Sequence, residues 1–246
     1  IWRSDIGHTR EGMGREIANG WRTIGLNRLE HALDSFRVMD PGGGRAEIFT
    51  EASLHANNYT TGFKVRTRYT FLGNGQLTVA TDVLPQGNMT HWLPKIGLQL
   101  ELEEKYRNME WFGRGPFETY PDRKTGARVG KYERTVDEDD VPYIIPQDYG
   151  NKTDVYWISL KDGEGRGLLV SGEELFHASA HKYSMENLTR AFYRFQLKES
   201  DSVTLNLDHR VSGVGGTAIM LLNQYRVLPG PARFTFHLKP VFTASP

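Results

Sequence analysis

The feature that most constrains this chain is an alternation of apolar and polar residues at every second position, repeated along most of its length. In 63-FKVRTRYTF-71 the apolar set Phe63, Val65, Tyr69 and Phe71 alternates with Lys64, Arg66 and Arg68, and in 76-QLTVATDVL-84 Leu77, Val79 and Val83 do the same. Successive side chains of a β-strand point to opposite faces, so such segments bury one face and wet the other, which is the pattern of antiparallel sheet. It recurs in 97-GLQLELE-103, 155-VYWISL-160, 167-GLLVS-171, 193-YRFQLK-198, 203-VTLNLD-208 and 233-RFTFHL-238, and 105-KYRNMEWFG-113 reads as a further strand. Between the first two strands, Gly73-Asn74-Gly75 predicts a hairpin turn in which glycine and asparagine supply the positive φ angles. Further turns are marked by 42-GGG-44, 162-DGEGRG-167, 213-GVGG-216 and 229-PGP-231. Helix is predicted only at 15-REIANGWRTIG-25, interrupted by Gly20, and at 184-SMENLTR-190, where Ser184 is placed to cap. The reading is all-β, two large antiparallel sheets packed face to face, in a single domain spanning 1–246 with no linker. The connections 113–126 and 137–152 are long, and long connections in compact domains are often functional.

Composition narrows the function classes. A chain of 246 residues can bury a sizeable core without staples. It has no cysteine, which excludes disulfides, thiolate nucleophiles and thiolate zinc sites. Thirty basic residues balance thirty acidic ones, so neither nucleic acid nor an anionic membrane is expected as the main partner. No apolar run is long enough to span a bilayer. The Asn-x-Ser/Thr triplets at Asn58, Asn88, Asn151 and Asn187 are read as coincidental. The opening IWRSD lacks an initiating methionine and a signal segment, and is read as the start of a piece of a longer protein.

Three clusters could carry chemistry. In 110-EWFGRGPFETYPDRKTGA-127, Glu118 and Asp122 could act as acid and base with Arg114 or Arg123 tuning one of them, or the same charges could form ion pairs that pin a loop corner while Tyr120 packs. Spacing does not separate these readings, because carboxylates four apart in a loop have no fixed distance. In 206-NLDHRVSGVGG-216, His209 and Arg210 lead from a strand into a glycine turn, facing either a ligand or a neighbouring strand. The turn is no dinucleotide fingerprint, since no helix follows it. His177 and His181 share a strand face, but no third ligand stands out beyond Glu173 or Glu174, so no metal site is expected. There is no Gly-x-Ser-x-Gly, no P-loop and no His-Glu-x-x-His.

The run Trp111, Gly113, Gly115, Pro116, Glu118, Tyr120, Asp122 and Arg123 resembles a signature of the C-terminal, small-chain domain of family 2 β-galactosidases. Three more segments resemble that domain in the same order: 1-IWRSDIG-7, 140-DVPYIIPQDYGNKTDVYWISL-160 and 208-DHRVSGVGG-216. The resemblance implies a large antiparallel supersandwich of the galactose mutarotase type. It implies that the catalytic glutamates of a retaining enzyme lie in a separate β/α barrel, so that this chain has no catalytic residue and is inactive alone. It further implies a homo-oligomeric parent with any divalent cation or sodium held by the barrel, no cofactor in this chain, and a bacterial cytoplasm or periplasm as its location. The Trp111–Arg123 motif is then framework. The segment holding His209, Arg210, Gly213, Gly215, Gly216 and Met220 borders the galactoside or meets another domain. In relatives a tryptophan after these glycines stacks on the sugar, whereas 217-TAIM-220 stands here. Alternatives are a stand-alone aldose epimerase or sugar-binding protein of the same fold, drawing on His177, His181 and His209 with Glu173 or Asp208. A domain serving only subunit contacts is a third reading, and it predicts an exposed apolar patch.

Overall fold

The computed structural model describes residues 17–215 and 221–242. Eleven antiparallel strands dominate, and all the alternating segments but 193–198 fall on them. They are β1 (Glu30–Gly42), β2 (Arg45–His55), β3 (Gly62–Leu72), β4 (Leu77–Gln86), β5 (Lys95–Glu103), β6 (Asn108–Gly115), β7 (Arg128–Thr135), β8 (Lys152–Lys161), β9 (Gly167–His181), β10 (Ser202–Val211) and β11 (Ala232–Val241). The all-β antiparallel expectation holds.

The main sheet runs β1-β2-β3-β4-β11-β9-β8-β6-β7, while β10 pairs with β5 and with β9. The fifteen-residue β9 belongs to both layers. Its first part, Gly167–Gly172, pairs with β11, and its last part, His177–His181, pairs with β10. Between them Tyr156 of β8 faces four residues of β9, a wide bulge bounded by Ser171 and Phe176. A bulge of this kind bends a strand and lets it change partners. One core lies between the layers: Val79 and Val83 of β4, Trp111 of β6, Ile158 of β8, Phe176 and Ala178 of β9, Val203, Leu205 and Leu207 of β10, and Phe234 and Phe236 of β11 share a single apolar cluster. The helix α1 (Ile17–Thr23) adds Ala18 and Trp21, with Trp21 Nε1 donating to the Trp92 carbonyl at 2.9 Å.

Several local expectations change. The segment 193–198 is not a strand but a single 3-10 turn at Arg194–Gln196. The Gln196 side-chain oxygen accepts from the backbone N–H of Phe192 and Tyr193, which closes the chain on itself and leaves Tyr193 and Phe195 exposed. At the β3–β4 hairpin only Gly75 has positive φ, at 82°. Asn74 instead accepts from the Gln76 N–H at 3.0 Å. Helix α2 (Met185–Arg190) forms where expected, with Ser184 Oγ accepting from Asn187 N. Strands β1 and β7 have weak alternation, whereas β2 sets Ala46, Ile48, Ala52 and Leu54 on one face. In β1 a register shift at Asp34 moves the apolar set from odd to even positions.

Gly97 is the tightest approach between β5 and β10: a Cβ there would lie 2.3 Å from the Leu207 carbonyl oxygen and 2.5 Å from Asp208 Cα. Backbone atoms cannot step aside as a flexible side chain can. Gly97→Ala is therefore expected to lower unfolding stability by about 3 kcal/mol, as read from the urea midpoint at unchanged slope.

Candidate functional site

The Trp111–Arg123 motif forms the end of β6 and the connection after it. Trp111 is fully buried, donates from Nε1 to the Arg114 carbonyl at 3.0 Å, and packs on Tyr132. Gly115 is required by that packing, since a Cβ would stand 2.6 Å from the Tyr132 ring. Arg114 pairs with Asp154 and donates to the Ala127 carbonyl at 2.8 Å, while Lys124 reaches the same Asp154 at 2.8 Å. Burial raises the Asp154 pKa, but these two cations outweigh it and hold the carboxyl below its ordinary range.

The two carboxylates of the motif are not an acid–base pair. Glu118 accepts from Arg123, from the Tyr143 hydroxyl and from the Gly150 N–H, so all its strong partners are framework. Asp122 turns to the other sequence cluster: its carboxylate accepts from Val214 N at 3.0 Å and from Gly215 N at 2.7 Å. Gly213 has no room for a side chain, because a Cβ would meet the Asp122 carboxyl carbon at 2.5 Å. Ser212 ties the same segment down, donating to the Leu93 carbonyl at 2.7 Å and accepting from Val227 N at 2.8 Å. The motif thus fixes where the glycine-rich loop leaves β10. Gly216 and Met220 lie outside the described residues.

His209 and Arg210 end differently from Asp208. Asp208 is buried and accepts from Lys95 Nζ at 3.0 Å. Burial pushes its pKa up, opposed by Lys95. His209, past a register shift in β10, stacks on Phe234 with centroids 5.5 Å apart and places Nδ1 3.9 Å from Glu174. It lines a cleft of about 220 Å³ with Glu173, Glu174 and Phe234. Burial, then the charge of Arg210, lower its pKa. Arg210 is exposed.

Beneath the long connections lies a buried polar layer that the alternation did not reveal. Lys152 is wholly buried, with Nζ 2.7 Å from Asp139, 3.1 Å from the Gly150 carbonyl, and over the Trp111 ring at 5.1 Å. Burial disfavours both charges, lowering the Lys152 pKa and raising that of Asp139. His181 donates from Nε2 to the Tyr149 carbonyl at 2.7 Å, and His177 lies 3.4 Å from the Asn151 amide. Among the described residues no group of acids and histidines could hold a metal. Asn151 is buried and donates to the Thr119 carbonyl at 2.7 Å, so its triplet is no surface acceptor in the folded chain.

The family model described as beta-galactosidase small chain matches residues 1–238. A beta-galactosidase of Priestia megaterium is 36% identical over 148 residues, covering 60% of this chain and 14% of that protein. One of Vibrio cholerae is 33% identical over 196 residues, covering 80% of this chain and 18% of that protein. The chain therefore spans less than a quarter of the length of these relatives. Among solved structures, an aldose epimerase homologue from C. elegans is similar at 10% identity and a TM-score of 0.41, covering 85% of this chain and 69% of that one. At that score the likeness adds nothing to the strand arrangement itself.

Two outcomes are expected of this site. Asp122→Ala removes the acceptor of two loop amides and should cost about 2 kcal/mol. Hydrogen exchange at Val214 and Gly215 should accelerate by more than about tenfold, beyond the change in global stability. For pH, burial lowers the pKa of His181 below 6.5, opposed by Asp148, and burial takes that of His177 to about 4. At these two histidines the unfolded chain then binds more protons than the folded one as pH falls through 6.5. Stability is full above 6.5 and declines as pH falls toward 4, a slope in urea titrations that His181→Gln should flatten.

Proposed function

Because the chain belongs to the beta-galactosidase small-chain family, we propose that it is the non-catalytic sandwich domain of a β-galactosidase that hydrolyses terminal β-D-galactosides, and that its role is to complete the sugar site. The observation that carries this reading is the grip of Asp122 on the Val214 and Gly215 amides. A framework motif spends its carboxylate on presenting one loop. His209 and Arg210 supply ring nitrogens and charge at the border of that segment. The other domains of the enzyme are its partners, in a homo-oligomer. They carry the catalytic glutamates and any divalent cation or sodium, and this chain brings no cofactor. A bacterial cytoplasm or periplasm suits a chain without cysteine. Among the described residues no helix is long and apolar enough to cross a membrane.

The family does not favour the epimerase reading, and two of its three candidate histidines are unsuited to it. An epimerase needs a histidine acid that reaches a sugar ring oxygen. His181 is 1% exposed and bonded to a carbonyl, and His177 is held neutral by burial.

In the intact enzyme, Asp122→Ala should lower kcat/KM for a β-galactoside by about tenfold, mainly through KM, as expected when a group acts on binding rather than on chemistry. Glu110→Ala, which removes only bonds from β6 to Lys131 of β7 and Lys161 of β8, should leave both constants unchanged. Equal effects of the two substitutions would refute the role of the loop. Acceleration of galactose mutarotation by this chain, lost on replacing His209, would favour the epimerase instead.

A further inference from the structure

The pairing registers of the main sheet set its residues in rows that cross from the core to the free edge. One row runs Ala232, Val83, Val65, Ala52, Leu33, and another runs Phe236, Val79, Tyr69, Ile48, Val38. Between them lies Phe234, Thr81, Thr67, Thr50, Phe36. Residues opposed in register share a face, so all three rows lie on the face that packs into the core. At their inner ends Val79, Val83, Phe234 and Phe236 are buried. At their outer ends Leu33 is 58%, Phe36 55% and Val38 63% exposed. The same apolar face is thus covered by the second layer over the middle of the sheet, is half-buried on β2 at Ile48 and Thr50 with Ala52 buried, and among the described residues lies open at β1. Arg37 and Met39 point the other way, opposite Phe49 and Glu47. Strand β1 also pairs only with β2, leaving the backbone groups of its outer edge unpaired among the described residues. A contiguous apolar face beside a long open edge is what soluble proteins cover.

We propose that this face of β1 and β2 is the seat of the rest of the β-galactosidase, the barrel-bearing portion, whether continuous with this chain or supplied as a separate large chain. The inference rests on the function proposed above and locates the contact. Its occupant is argued from length and chemistry. This chain accounts for only 14% and 18% of the matched relatives, so most of such a molecule lies outside it. The rows end on aliphatic and aromatic side chains without a formal charge, the character of a permanent rather than a transient interface. Antiparallel self-pairing of β1 in the register that sets Leu33 opposite Val38 would set Ser35 opposite Phe36, consecutive residues that face opposite ways, so that register does not join two copies.

The chain has no cysteine, so Val38→Cys and Arg37→Cys each introduce a single thiol here on opposite faces of one strand. In the intact enzyme, maleimide labelling read by peptide mass spectrometry should be at least about tenfold slower at position 38 than at 37. The ratio should hold across a roughly hundredfold range of enzyme concentration, since the contact is permanent. Equal rates would mean the face is bare and would overturn the proposal. Protection that grows with concentration would assign the face to a second copy and overturn it equally. Galactoside hydrolysis by the same unlabelled enzyme separates the two readings: an inactive enzyme refutes the function, while an active one labelled freely at position 38 refutes only the interface.

Discussion

Strand β9 cannot serve two layers without giving up regular pairing at one point, and the architecture follows from where it does so. Through Gly172 it is a strand of the main sheet beside β11, and from His177 it is the neighbour of β10. The intervening residues bulge against Tyr156 of β8. A Cβ on Gly172 would come within 2.6 Å of the Glu174 carbonyl oxygen, so the bend requires glycine. The bend carries β10, with β5 beyond it, away from the main sheet and into position to close the core. It also gives the last part of β9 two buried faces. Phe176, Ala178 and Ala180 enter the apolar cluster, while Ser179 and His181 turn to a polar layer beneath the connections.

That second buried face explains which parts of the fold were legible. A strand with one wet face announces itself by alternation, as β3, β4 and β11 do. Strand β10 is buried on both faces without being apolar on both: Thr204, Asn206 and Asp208 look from sequence like a solvent side, yet all three are buried. The sequence pattern located β10 and misjudged its environment. The opposite error occurred at 193–198, where alternating residues are exposed because Gln196 closes a local turn, an interaction that periodicity does not register. Strand β1 escaped notice because one extra residue at Asp34 reversed its phase.

At the site, residue types were legible and their commitments were not. Glu118 and Asp122 stood four apart as a candidate catalytic pair, and the coordinates commit one to Arg123, Tyr143 and Gly150 and the other to the amides of Val214 and Gly215. Distance along the chain separates Asp122 from those amides by more than ninety residues, so only the folded sheet brings them together. Much of the remaining charge in the region is likewise neutralised in place, by Asp154 for Arg114 and Lys124 and by Asp139 for Lys152. Such pairs add little net stability when buried, and they penalise alternative packings that would separate the charges.

The bond from Asp122 is made to main-chain N–H groups, which every residue except proline possesses. An attachment of that kind does not depend on the identity of the side chains it holds. The bond itself asks nothing of the side chain at 214, although packing on Tyr120 and Val211 favours an apolar one and a φ of 71° favours glycine at 215, while the point of departure from β10 stays fixed by Asp122, Ser212 and the space reserved at Gly213. Apolar substitutions at 214 can then accumulate without loosening the anchor that Asp122 makes to the main chain, because the anchor and the side chain answer to different partners.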